Sequence, residues 1–319
     1  MRIGLDVMGG DFAPVSTISG AVLALGELQP GDEVVLVGNE QVILTELEKH
    51  GVAPSRFKIV HANEVIEMGE HPTKAILKKP QSSIAVGFEL LKHKQIEAFT
   101  SAGSSGAMLV GSIYSVNNIQ GVIRPCTSAL LPQEAGGVSL LVDVGTNPDA
   151  KPDVMYQFGL LGSIMAESVY KIENPRVALL NIGQEEEKGN LSTQAAFHLM
   201  KNARDFNFIG NIEGRDVLRN KADVIVCDGF TGNILLKNIE GMFRIMMKHG
   251  LTDDYFKRFN YEQYGGTPIL GINSSVIVGH GISNDIAVKN MILLARDVHN
   301  AKVSHKIKRA LAKVPGEIL

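Results

Sequence analysis

Cysteine is scarce: the 319 residues contain only two, Cys126 and Cys227. They have no C-x-x-C spacing and lie in apolar contexts, which excludes a disulfide framework and a thiolate zinc site and fits a reducing compartment. Neither has a histidine base near it in sequence, so both read as buried thiols rather than nucleophiles. A basic surplus is missing as well. Thirty-one Lys and Arg face 34 Asp and Glu, a formal net charge of −3, so the global positive field of a nucleic-acid binder is absent. Any acidic partner must then be met by a local basic patch. No run of ~18 apolar residues is available to span a bilayer, and M-R-I-G-L at the start reads as a strand rather than a signal peptide; the cytoplasm is the expected location. There is no H-E-x-x-H, no G-x-S-x-G, no G-x-x-x-x-G-K-[ST] and no clean G-x-G-x-x-G after a strand, which weighs against metalloprotease, hydrolase, P-loop and Rossmann readings. The nine histidines do not cluster at ligand spacings, and His71, His93 and His198 read as structural or solvated; neither metal nor cofactor is expected. Internal repeats and long Pro/Gly/Ser linkers are also lacking, so residues 1–319 read as a single domain with a clasp or subdomain crossing near 120–134.

What is present is alternation. Apolar runs at Arg2–Asp6, Glu33–Val37, Lys58–His61, Glu97–Thr100, Val138–Asp143, Arg176–Asn181, Asn207–Ile209, Val224–Cys227 and Val276–Val278 read as buried strands, with helical patterns between most of them. That predicts an α/β fold whose largely parallel sheet is covered by helices on both faces. Ligands in such folds bind at the carboxyl ends of the strands, and four turns there are rich in glycine and polar residues. The run Val224–Cys227 stops at Asp228-Gly229-Phe230-Thr231-Gly232-Asn233 before a helical segment from Ile234 to Lys248. Glycines and unpaired N–H groups at a helix start suit a phosphate or carboxylate, although an ordinary capped strand-to-helix connection reads the same way. The second turn is Ser101-Ala102-Gly103-Ser104-Ser105-Gly106. The third runs from Asp143 through Asn147 to Lys151, where Pro152 suits the first turn of a helix reaching about Tyr170. The fourth holds Asn181 and Lys188. Together they suggest one phosphate-binding cleft, with Arg124 as a further cation. Asp6, Gly9 and Gly10 end the first strand, and His280 ends the last one between two glycines; for each, a tight structural turn competes with a ligand contact.

At these residues the chain resembles a known family. M-R-I-G-L-D-V-M-G-G-D, T-S-A-G-S-S-G-A, I-R-P, L-V-D-V-G-T-N-P-D-A-K-P, L-L-N-I-G-Q-E-E-E-K-G-N, F-I-G-N-I-E-G-R-D, C-D-G-F-T-G-N and Y-G-G are similar, in order and from Met1 to about Asn300, to bacterial phosphate acyltransferases. The resemblance implies transfer of a long-chain acyl group from acyl-ACP to inorganic phosphate, giving acyl phosphate for a membrane glycerol-3-phosphate acyltransferase. It also implies an isocitrate/isopropylmalate dehydrogenase-like α/β/α sandwich, a homodimer and peripheral membrane association. By analogy with phosphate acetyltransferases, phosphate is expected near Ser104, Ser105, Arg124, Asn147, Thr231, Gly232 and Asn233.

Phosphate must be aimed at the thioester carbon and the resulting oxyanion stabilised. Asn147 or Asn181 is the expected oxyanion donor, Lys151 or Lys188 the acid, and Asp228 is expected to orient an Arg or Lys; Ser101, Gly103 and Asp143 complete the candidates. One departure is visible. Family members carry a longer helical hairpin where this chain has the short polar connection Gly250–Gln263. Two basic patches are the substitutes for ACP or membrane contact: Lys74, Lys78 and Lys79, and an amphipathic C-terminal helix with Lys302, Lys306, Lys308, Arg309 and Lys313. The alternatives are a CoA-dependent phosphate acetyl- or butyryltransferase, a dehydrogenase of the same fold, and a non-catalytic membrane-recruitment scaffold.

Overall fold

The segment E-V-V-L-V-G, in which every residue after Glu33 is buried, is the pattern of a strand covered on both faces. In the computed structural model, which describes residues 1–251 and 253–312, such runs build a mostly parallel sheet in each of two units. The first unit comprises Met1–Asn117 and Tyr261–Asn300; the second comprises Asn118–Asn260 and the segment that starts at Ala301.

The first unit contains β1 (Arg2–Asp6), β2 (Glu33–Gly38), β3 (Lys58–His61), β4 (Ala98–Ser101), β10 (Thr267–Leu270) and β11 (Ser275–Val278), in the order β3-β2-β1-β4-β11-β10. All pairs are parallel except β10 with β11. Its helices are α1 (Val15–Ala24), α2 (Glu40–Lys49), α3 (Pro72–Lys78), α4 (Ser83–Lys92), α5 (Ser105–Val116) and α10 (Asp285–Asn300). Asn39, Ser82 and Ser104 each accept a backbone N–H from the first turn of the helix that follows, the usual remedy for orphan donors there. The core joins β2, β4, α4 and α5. Phe88 meets Phe99 edge-on at 5.2 Å, each fully buried ring being worth about 2–3 kcal/mol by area.

The second unit contains β5 (Cys126–Pro132), β6 (Val138–Val142), β7 (Arg176–Asn181), β8 (Asn207–Glu213) and β9 (Val224–Val226), in the order β5-β6-β9-β7-β8. Only β5 with β6 is antiparallel among these pairs. Its helices are α6 (Pro152–Ser168), α7 (Leu191–Lys201), α8 (Gly229–Lys248), α9 (Asp254–Lys257) and α11 (Val303–Leu311). Leu141, Ala178, Leu180 and Ile225 form a core against which Leu235, Leu236 and Ile239 of α8 pack.

All nine expected strands are present, with ends shifted by a residue or a few. Two more, β5 and β10, were not expected: each is antiparallel to its neighbour and each contains a proline, Pro132 or Pro268, where a strand reading stops. The other correction concerns α8. It starts at Gly229 and not at Ile234, so F-T-G-N is its first turn rather than a loop leading to it. In the 250–263 connection, α9 is tied to the end of β5, with Tyr255 OH donating to Pro132 O and Arg258 Nη1 to Gln133 O. Phe243, Tyr255, Phe256 and Phe259 cluster around it.

Candidate functional site

In the second unit the registers Val142↔Val226 and Leu179↔Val226 set β6, β9 and β7 side by side. Their carboxyl ends therefore deliver Asp143, Asp228 and Asn181 from three neighbouring strands. Asp143 is fully buried and saturated: one carboxylate oxygen accepts from Thr127 N, Thr127 Oγ1 and Val144 N, the other from Asn147 N and Nδ2, at 2.6–3.1 Å. A buried carboxylate survives only with such partners. Asn147 extends the network, because its Nδ2 also donates to Pro125 O at 2.8 Å and its carbonyl accepts from Gly229 N at 2.8 Å.

The first turn of α8 is locked onto this turn. A Cβ on Gly232 would collide with the Asp143 carbonyl, and one on Gly229 with Asn147, so both positions require glycine for close approach. Asp228 caps α8: it accepts from Thr231 N at 2.8 Å and Thr231 Oγ1 at 2.9 Å. Among the described residues these are the partners of its side chain, in place of the Arg or Lys expected from the sequence: an aspartate just before a helix caps the unpaired N–H groups of the first turn. Gly229 N and Gly232 N are also paired, which, among the described residues, leaves Phe230 N–H open in the first turn. The Thr231 and Asn233 side chains are exposed there, as is Arg124, one residue before Pro125.

The turn after β7 is closed on itself. Asn181 Nδ2 donates to Lys188 O at 3.0 Å while its Oδ1 accepts from Ile182 N, and Ser192 Oγ donates to Ala150 O at 3.1 Å, joining this turn to the one carrying Lys151. Lys151 and Lys188 are exposed. Both asparagines proposed as oxyanion donors thus have their amide groups engaged in shaping turns.

Ser101, Gly103, Ser104 and Ser105 belong to the first unit. Ser101 Oγ donates to Asp6 Oδ2 at 2.6 Å and accepts from Gly103 N. Burial pushes the Asp6 carboxyl above its usual range, against hydrogen bonds from Ser101, Ser83 and the Met8 and Gly9 backbone. Gly9 packs on this pair, Gly10 against Ala102, and Asp11 N donates to Gly281 O, so the ends of β1, β4 and β11 meet. Ser104 caps α5 and Ser105 opens it. The His280 ring lies tilted against Tyr261, with centroids 5.3 Å apart, and its carbonyl accepts from Ser283.

The two basic patches differ. Lys79 donates to Val65 O and pairs with Glu70, holding that carboxyl below its usual range, while Lys74 and Lys78 are exposed. In α11, Val303, Ile307 and Leu311 are buried, and the helix packs on α6. Its apolar stripe is spent inside the unit and its basic side faces solvent, with Lys306 reaching Ser168 Oγ at 3.0 Å; Lys313 lies outside the described residues. Among the described residues, no helix is long and apolar enough to cross a membrane, and no group of three or more His, Cys, Asp or Glu is arranged to hold a metal.

A family model described as "Fatty acid synthesis protein" matches residues 1–306. The phosphate acyltransferase of Syntrophomonas wolfei is 43% identical over 321 residues, covering 99% of this chain and 100% of that protein. The chain belongs to the phosphate acyltransferase family. Among solved structures, a phosphotransacetylase from Streptococcus pyogenes covers 93% of the chain with a TM-score of 0.67 at 15% identity, over 94% of its own length. A 4-hydroxythreonine-4-phosphate dehydrogenase from Klebsiella pneumoniae covers 94% with a TM-score of 0.57 at 13% identity, over 97% of its own length. At such identities they show the fold alone, the α/β fold shared by phosphotransacylases and dehydrogenases that the sequence motifs implied.

Proposed function

We propose that this acyltransferase moves a fatty acyl group from acyl-ACP to inorganic phosphate, releasing free ACP and feeding acyl phosphate to a glycerol-3-phosphate acyltransferase in phospholipid synthesis. The observation that carries the reading is full-length identity of 43% to a phosphate acyltransferase. In this reading Arg124, Asn233 and the open Phe230 N–H donate to phosphate, helped by the positive end of the α8 dipole; Thr231 Oγ1, whose hydrogen goes to Asp228, accepts from a protonated phosphate oxygen, and Gly232, whose N–H is taken by the Asp228 carbonyl, gives only close approach. One phosphate oxygen attacks the thioester carbon, the C–S bond breaks from the tetrahedral intermediate, and Lys188 or Lys151 protonates the departing thiolate. A thiol with a pKa near that of cysteine needs only modest acid help. ACP, an acidic helical protein, is steered by the basic side of α11 or by Lys74 and Lys78. A cytoplasmic homodimer, peripheral at the inner face of the membrane, belongs to the same proposal.

The test is kinetic. Arg124→Ala is expected to raise the apparent phosphate KM by roughly tenfold or more, the loss of one charge-assisted contact. An unchanged phosphate KM with persisting turnover removes Arg124 from the site. A second reading is a CoA-dependent phosphotransacylase. Thiol release from palmitoyl-ACP and palmitoyl-CoA, compared at equal concentration, separates the two.

A further inference from the structure

Asn147 makes four hydrogen bonds to three separate segments. Its N–H and one Nδ2 hydrogen go to Asp143 Oδ2, the other Nδ2 hydrogen goes to Pro125 O, and its carbonyl takes the N–H of Gly229. A side-chain amide has two donors, and both are used. The amide orientation is not arbitrary either: a carbonyl and a carboxylate can only accept, so the nitrogen and not the oxygen must face them. To donate to a developing oxyanion, Asn147 would have to abandon Pro125 or the fully buried Asp143.

We propose that Asn147 is the positioning residue of the anion site, holding the Arg124–Pro125 segment against the first turn of α8, and that it gives no hydrogen bond to the reacting carbonyl. The inference rests on the phosphate-site reading above. Pro125 follows Arg124 directly, so fixing its carbonyl fixes the Arg124 backbone to within one peptide unit, ~3.8 Å. Gly229 opens the helix whose first turn carries Thr231 and Asn233. One residue thereby sets the spacing between the cation and the helix start, the two parts that must grip the same anion.

Two readouts test this. Isothermal titration with inorganic phosphate measures binding without turnover. Asn147→Ala is expected to lose roughly tenfold in phosphate affinity, and the double variant Asn147→Ala/Arg124→Ala is expected to bind no more weakly than Arg124→Ala alone, because residues acting through one another are not additive. Additive losses would make Asn147 a direct ligand and overturn the proposal. In steady state with palmitoyl-ACP, the phosphate KM rises while kcat at saturating phosphate falls less than about fivefold; an oxyanion donor would instead cost about 10²–10³ in kcat with KM unchanged, which also overturns it. Should Asn147→Ala fail to fold, Asn147→Thr keeps one donor and is expected to show an intermediate phosphate affinity; wild-type affinity there counts against the proposal. A wild-type protein that binds phosphate but releases no thiol refutes the proposed function and leaves this inference standing, whereas a wild type that binds no phosphate refutes both.

Discussion

Asp143, Asn147 and Asp228 show how folding sorts a polar inventory. The sequence presents three carboxylates or amides of equal promise; folding gives each a fixed set of partners and so a different job. Asp143 and Asn147 are consumed in holding three chain segments together, and Asp228 caps a helix. What stays open to solvent is Arg124, Thr231, Asn233, Lys151 and Lys188. The thiols are excluded on similar grounds. Burial pushes Cys126 well above the ordinary thiol range, with the Asp143 charge adding to it. Cys227 is raised in the same way, by burial first and then by Asp228 and Asp143. A thiol so raised is a poor nucleophile at neutral pH. Cys126→Ala and Cys227→Ala are therefore expected to keep turnover within about threefold while costing about 1 kcal/mol of stability, read by thiol release and thermal unfolding. A folded variant without activity would point to an acyl-enzyme. Residue types were legible in the sequence; their hydrogen-bond partners were not, since Pro125 lies 22 positions from Asn147 and neither residue advertises the other.

Elements were easier to foresee than their joints. Parallel strands buried on both faces write continuous apolar runs, which is why nine were legible, whereas β5 ends in a proline, β10 has one at its second position, and both pair antiparallel. The start of α8 was misplaced because glycine is a poor helix former, yet Gly229 and Gly232 are demanded there by the approach of the 143–147 turn. For α11, amphipathicity was legible but its use was not. The helix buries Val303, Ile307 and Leu311 in its own unit, so its exposed side offers charge and no apolar wedge. The expected outcome for Lys306→Gln/Arg309→Gln is a several-fold lower kcat/KM with acyl-ACP at low salt, vanishing near ~0.5 M salt as screening sets in. Activity with acyl-CoA should not change. A salt-independent loss, or an equal loss with CoA, would remove α11 from ACP recognition.

At the scale of the whole molecule, the fold class and family were legible because the motifs fall at the ends of the strands in order along the chain. The division into two units was not, since the first is assembled from two segments far apart in sequence, Met1–Asn117 and Tyr261–Asn300, and sequence adjacency says nothing of that return. Both units use one device, a buried aspartate at a strand end that organises a glycine-rich turn: Asp6 in the first and Asp143 in the second. The central claim is that these turns serve acyl transfer to phosphate, and the most direct measurement is release of free thiol from palmitoyl-ACP with and without added phosphate. The account predicts release that rises with phosphate to saturation, with acyl phosphate appearing in equal amount. Thiol release at the same rate without phosphate, or none at any phosphate concentration, would contradict it.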